Sequence, residues 1–300
     1  MTDAAVGAGH SAPAGHSTAA PVVQLPPVVA AEHHAAIAAL RESYAALPPG
    51  APVRLAKRTS NLFRFREPAP KAPRRRAAPG PGGAAGLDTS AFTRVLHVDP
   101  AARAAVAGGM TTYEDLADAT LQHGLMPLVV PQLKTITLGG AVTGLGIEST
   151  SLRSGLPHES VTAMEILTGD GRVVTATAEG EHAELFRGFP NSYGTLGYAL
   201  SLTIELEPVA PYVHLRHFAF TTPEACMEAI AQVAAEGSLH GHRADFIDGT
   251  AFGLDEIYLT VGAFSEVAPW RGDYTGQSIY YQSVRGPRED FLSIRDYLWR

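Results

Sequence analysis

The stretch Pro131-Gln-Leu-Lys-Thr-Ile-Thr-Leu-Gly-Gly-Ala-Val-Thr-Gly-Leu-Gly-Ile-Glu-Ser149 decides how this chain is read. Gly139, Gly140, Gly144 and Gly146 are separated only by small or aliphatic residues. Glycine lets a backbone come within hydrogen-bonding distance of a ligand and reaches conformations closed to other residues. A short helix beginning at Leu138–Val142 would turn its unsatisfied N–H groups toward one spot. A helix N-terminus carries about half a positive charge, which suits a diphosphate. A tight structural turn packed against a neighbour accounts for the same glycines, and spacing alone leaves both readings open. Two common phosphate-binding patterns do not fit: no Gly-Lys-Ser/Thr follows, and the glycines are not G-x-G-x-x-G after a clear strand.

On the N-terminal side, Val95–Val98 and Ala104–Ala107 read as two short strands around the turn-forming Asp99-Pro100. Thr111 or Thr112 can cap a helix running to about His123, with Glu114 and Asp115 in its first turn and Gly124 ending it. On the C-terminal side, Ala163–Leu167 and Arg172–Ala176 flank Gly169-Asp-Gly171, a strong hairpin signal. Glu181–Arg187 predicts a short helix, and Tyr198–Leu206 is the best strand, closed by Pro208. A second unit starts near Tyr212. It reads as a strand over His214–Phe220, a helix over Pro223–Ala235 started by Thr221 or Thr222, then strands near Ala244–Asp248 and Glu256–Val261. That succession predicts an antiparallel sheet with helices on one face.

Farther out, Glu32–Leu47 has helical spacing stopped by Pro48-Pro49-Gly50, and a strand follows near Val53–Ala56. Residues 1–20 read as a disordered tail, and 67–87 as a flexible loop. Arg74–Arg76 lie in that loop and read as a solvated surface feature rather than a phosphate site. A hydrophobic fraction of 45% over 300 residues allows a sizeable core. The net charge of −7 argues against a nucleic-acid or anionic-membrane partner. A lone Cys226 excludes an internal disulfide and a thiolate-rich metal site. With no apolar run long enough to span a membrane, the expected location is the cytoplasm.

Ile136–Ser149 closely resembles the FAD diphosphate loop of the p-cresol methylhydroxylase/vanillyl-alcohol oxidase superfamily. Its Thr-Gly-Leu-Gly-Ile-Glu-Ser form is most similar to the Δ24-sterol reductase branch. Met110-Thr-Thr112, Leu128–Pro131, Gly155-Leu156, the Gly169-Asp-Gly171 hairpin, Glu184-Leu-Phe186 and Gly194-Thr-Leu-Gly197 are similar too, in the same order.

The resemblance implies an α+β fold: a two-subdomain PCMH-type FAD-binding domain over 21–208, followed at 209–300 by an incomplete α+β cap (substrate) domain. It implies that Thr137, Leu138, Gly139, Gly140, Ala141, Val142, Thr143, Gly144, Gly146, Ile147, Glu148 and Ser149 surround non-covalent FAD. Gly194, Thr195 and Gly197 would lie near its adenine end. No position matches the histidine that tethers flavin elsewhere in the superfamily.

Glu148 is either a structural acceptor or a group near the flavin. A carboxylate beside a diphosphate must point away, pair with a cation or be protonated. Arg153 aligns with a basic position and would offset phosphate charge; His158 is a weaker acid candidate. No catalytic residue and no metal site is assigned. The implied chemistry is hydride transfer to a carbon–carbon double bond of a small apolar, sterol-like or isoprenoid substrate, with NADPH as reductant. The rivals are an oxidase or dehydrogenase of alcohols, aldonolactones or 2-hydroxy acids, and an inactive FAD-binding fragment. The second rival arises because family members continue past Arg300, so a truncated chain is expected.

Overall fold

The computed structural model describes residues 23–48, 50–51, 53–56, 85–272, 280–286 and 288–300. The 1–20 tail, the Arg74–Arg76 triplet and most of the 67–87 loop lie outside the described residues.

In chain order the helix α1 (Pro27–Ala45) leads to strands β1 (Val53–Ala56), β2 (Ala85–Asp88), β3 (Val95–Asp99) and β4 (Ala104–Gly108). Helix α2 (Tyr113–Leu121), strand β5 (Leu125–Pro127), and helices α3 (Leu138–Gly144) and α4 (Ser151–Ser154) follow. Then come β6 (Val161–Leu167), β7 (Val173–Thr177), α5 (Ala183–Gly188) and the long β8 (Tyr198–Pro208). The remainder is β9 (Tyr212–Phe220), α6 (Pro223–Glu236), β10 (Ser238–Leu239), β11 (His242–Arg243), β12 (Phe246–Gly253), β13 (Glu256–Ser265), β14 (Glu289–Ser293) and α7 (Ile294–Leu298).

Strand β8 organises the first sheet. It pairs antiparallel with β4 on one side and β6 on the other, and β5 adds to its end, giving the order β3-β4-β8-β6-β7. Thr112 caps α2, its hydroxyl accepting from the Asp115 amide, and Gly171 turns the β6–β7 hairpin at φ +81°. Helix α1 starts earlier than its spacing suggests, because Pro27 fits a first helical turn. It buries only His33 and Leu40. Nε2 of His33 lies 2.6 Å from the Glu165 carboxylate on β6, tying the helix to the sheet.

The second sheet is antiparallel, ordered β12-β13-β9-β14. Helix α6, capped by Thr222, covers one face, where Cys226, Ala229 and Val233 pack on Ile257, Leu259 and Val261. The other face does not stand apart. Val213, Leu215, Phe246 and Leu292 join Met126, Leu138, Val142 and Met164 in one continuous core. The mixed helix-and-sheet class therefore holds, and the two sheets share a hydrophobic interior. The expected strand near Ala244–Asp248 is displaced to Phe246–Gly253, where it completes a hairpin with β13.

Candidate functional site

The glycine run is anchored from behind by the segment that precedes α2. Thr112 and Thr137 face each other in an antiparallel bridge. The Leu138 amide donates to the Thr111 carbonyl, the Gly139 amide to the Gly109 carbonyl, both at 2.9 Å, and the Gly140 amide to Thr137 Oγ1 at 3.3 Å. The first amides of α3 are thus consumed by the protein, and the expected bare helix N-terminus does not exist here. Packing explains two of the glycines nearby. A Cβ on Gly139 would stand 2.8 Å from the Gly109 carbonyl oxygen, and one on Gly109 only 2.0 Å from that of Ala199. Leu138, Ala141 and Val142 are buried beneath.

The far end of α3 is different. Among the described residues a Cβ on Gly144 would meet no atom within 4 Å, and one on Gly146 only the Glu148 carboxylate at 3.6 Å. Packing does not require glycine at either place. Between them Leu145 is held at φ 55°, ψ 165°, a region L-residues avoid at a cost of about 1–3 kcal/mol. Ile147 is 84% exposed, and the amides of Gly146 and Ile147 donate to no acceptor among the described residues. Bare N–H groups, glycines with open space and a strained residue between them form a cradle that a Cβ would fill. That geometry suits close approach by an anionic group.

The second glycine cluster lies against the first. The amides of Asn191 and Tyr193 donate to the Val142 and Thr143 carbonyls at 3.2 and 3.0 Å. Tyr193 is 71% exposed with φ 50°, and Gly194 follows at φ +82°. Thr195 is exposed, its amide and hydroxyl both donating to the Ser192 carbonyl. Gly197, at φ +131°, would place a Cβ 2.3 Å from the Leu167 carbonyl oxygen, so it serves strand packing. Asn191 and Tyr193 carry no motif, and sequence reasoning missed them; only their spacing before Gly194 hinted at a turn.

Beyond Ile147 the run meets the second sheet. The Ile247 amide on β12 donates to the Ser149 carbonyl at 2.8 Å. A cleft of about 250 Å³ opens there, lined by Gln132, Ile147, Glu148, Ser149, Ile247 and Asp248. Burial pushes Glu148 up to about 7; the Gln132 backbone N–H and Arg300 pull it down, and the Asp248 carboxylate pushes it up. Asp248 is itself held by an ion pair to Arg300 and a 3.4 Å hydrogen bond from the Tyr297 hydroxyl. A larger hollow of about 680 Å³ lies between α1 and the Gly169–Gly171 turn and contains no residue of the glycine run.

The other polar candidates are not at the cradle. Arg153 donates to Glu207 at 2.6 Å, to the Asp245 carbonyl at 2.9 Å and to Ser154 at 3.2 Å. Its charge is committed to joining the two sheets, which corrects its expected pairing with phosphate. Nδ1 of His158 is buried without a hydrogen-bond partner among the described residues.

The sequence pattern of the FAD binding domain matches residues 77–177, which include the whole cradle. Over residues 77–177 the chain is similar to that family. The chain is also similar to several curated reductases and to a dehydrogenase. Delta(24)-sterol reductase of Pisum sativum is 33% identical over 131 residues, 44% of this chain and 23% of that protein. The Rattus norvegicus enzyme of the same name is 35% identical over 140 residues, 46% and 26% of the two chains. Cytokinin dehydrogenase 2 of Oryza sativa subsp. japonica is 27% identical over 176 residues, 56% and 31%. The likeness to the Δ24-sterol reductase branch read from the glycine run is borne out. The chain spans between about a quarter and a third of the length of the reductases it matches. Among the described residues no helix is long and apolar enough to cross a membrane.

Proposed function

We propose that this chain is the flavin-binding part of an FAD-dependent oxidoreductase that reduces a carbon–carbon double bond in an apolar, sterol-like or isoprenoid molecule. The observation that carries the flavin assignment is the cradle at Gly144–Ile147, whose glycines have no packing reason to be glycine. In this reading the Gly146 and Ile147 amides donate to the diphosphate. Thr137–Thr143 support it from behind, and the Gly194–Thr195 turn flanks it. The donors named here are backbone amides, and the cofactor is held non-covalently. Bound flavin supplies reversible hydride chemistry; the protein supplies position and electrostatics. Residues up to 208 form the flavin unit, and those from 209 onward begin the substrate cap. The double-bond assignment draws on the sterol reductases among the relatives, with NADPH as the reductant.

The rice dehydrogenase supports a second reading, oxidation of a substrate C–H group on the same domain. One experiment separates them. The FAD-loaded protein is reduced anaerobically by NADPH and then offered either oxygen or a sterol bearing a side-chain double bond. Flavin reoxidation by the sterol, with sluggish reaction toward oxygen, is expected. Failure of NADPH to bleach the flavin, together with fast peroxide formation once dithionite has reduced it, would overturn the reductase reading.

A further inference from the structure

Glu148 is the ionisable group that the flavin reading leaves without a task. Its position is tightly fixed. The Glu148 amide donates to Ser151 Oγ at 2.9 Å, and the next carbonyl, of Ser149, is fastened to β12. Its side chain therefore lies in the 250 Å³ cleft between the cradle and the second sheet. The sheet contributes Ile247, Asp248 and Gly249 to that cleft, and behind Asp248 it carries a polar row. Asp248, Thr260 and His217 are cross-strand neighbours on β12, β13 and β9. Thr260 and His217 are only 3% and 8% exposed and are joined by a 2.7 Å hydrogen bond through Nδ1, while His217 Nε2 is buried with no hydrogen-bond partner among the described residues. Buried polar groups cost stability unless something uses them, and a row of them beside a cofactor cradle points to chemistry.

We propose that Glu148 is the proton donor of this site, holding its proton on a carboxyl oxygen over the cleft, with Asp248 as the positioning residue that keeps it there. The proposal rests on the flavin reading above. In the reduction, the π bond breaks and two C–H bonds form. One hydrogen arrives as hydride, supplied in the end by a reduced nicotinamide, and the other as the Glu148 proton. Glu148 is left as a carboxylate and regains its proton from water.

The charges around it agree. The groups facing Glu148 are Tyr113 from α2, Asp248 from β12 and Arg300 beyond α7, with Tyr297 and His217 behind Asp248. Burial and the Asp248 carboxylate push Glu148 up to about 7, which leaves a share of it protonated at neutral pH. The cation that would ionise it, Arg300, is already paired with Asp248. A purely structural acceptor would gain from the opposite arrangement.

The test reads the visible absorption band of bound flavin from about pH 5 to about pH 9, with no substrate present. A charge appearing beside the flavin shifts that band. The wild-type chain is expected to show a one-proton transition with its midpoint at about 7. Glu148→Gln is expected to bind FAD and lose the transition. Asp248→Asn is expected to keep it with a midpoint lower by about half a pH unit or more, because a like charge has been removed. An unchanged transition in Glu148→Gln overturns the proposal, as does an unmoved midpoint in Asp248→Asn, and the second variant decides if the first does not fold. If the wild-type chain takes up no FAD at all, the flavin reading itself fails. FAD uptake without any transition sinks the proton donor alone.

Discussion

Arg153 offers a sharp test of how the two sheets are joined. Its guanidinium donates to Glu207 at the end of β8 and to the Asp245 carbonyl just before β12. Replacing it by Met keeps much of the packing and removes both bonds. Glu207 is 15% exposed, so its carboxylate would be left poorly solvated; Arg153 is 32% exposed, so water softens the loss. Breaking a fully buried pair costs ~3–5 kcal/mol and a charged hydrogen bond contributes ~1.5–3 kcal/mol, which for this half-wet pair gives about 2 kcal/mol, roughly thirtyfold in the folding constant.

The assay is urea unfolding followed by the fluorescence of Trp270 and Trp299, with and without Glu207→Gln in a double-mutant cycle. The double variant should recover part of the loss, because the stranded carboxylate is gone. The sign with pH follows from Glu207. Burial raises its pKa, the Arg153 hydrogen bond lowers it, and the net direction is up. A raised carboxylate favours the folded state in acid and loses that advantage as pH rises through its folded value. Removing Arg153 raises it further, so Arg153→Met should lose more stability at neutral pH than in mild acid. An unchanged unfolding midpoint together with a salt-sensitive fall in FAD affinity would refute this account and return Arg153 to the phosphate.

Three further outcomes are expected. His33→Ala should cost about 2 kcal/mol in a denaturant melt, since it removes a buried hydrogen bond to Glu165. Burial alone would raise Glu165, but its bonds from His33 and Ser201 lower it from 4.5. The wild-type chain should therefore lose stability as pH falls below about 4.5, and His33→Ala should flatten that loss. Gly109→Ala should destabilise by about 3 kcal/mol, because its Cβ would be driven into the Ala199 carbonyl and backbone on both sides leaves little room to shift; a normal melting curve would contradict this. Burial raises the Cys226 thiol, so the native chain should react with a thiol reagent at least roughly tenfold more slowly than the urea-unfolded chain.

Much of this architecture is legible locally. The Gly169-Asp-Gly171 hairpin, the Thr112 and Thr222 caps and the long Tyr198–Pro208 strand each follow from residues within a few positions of one another. Spacing alone left the glycine run open between a ligand loop and a packed turn, and did not point to its C-terminal end. Only the fold reveals that Thr111 and Gly109 consume the first amides of α3, because those carbonyls come from the far side of α2. His33 gave no periodic signal, since its partner Glu165 lies 132 positions away. Glu148 looked ambiguous for the same reason: Asp248, which lines its cleft, and the Arg300 charge are brought near only when β12 and α7 pack on the shared core. Strand β14 was missed because it pairs with β9 across a long interval of chain rather than with a sequence neighbour.

The central claim is that Gly144 and Gly146 are glycine for a ligand and not for the fold. FAD titration followed by flavin fluorescence, run beside a thermal melt, tests it on Gly144→Ala and Gly146→Val. With nothing within 4 Å of a Gly144 Cβ and only a carboxylate tip near that of Gly146, both variants should melt like the wild type. Their FAD dissociation constants should rise by about tenfold or more, the loss of at least one charged hydrogen bond. Unchanged FAD affinity in both, with the fold intact, would contradict the assignment of this cradle to the flavin diphosphate.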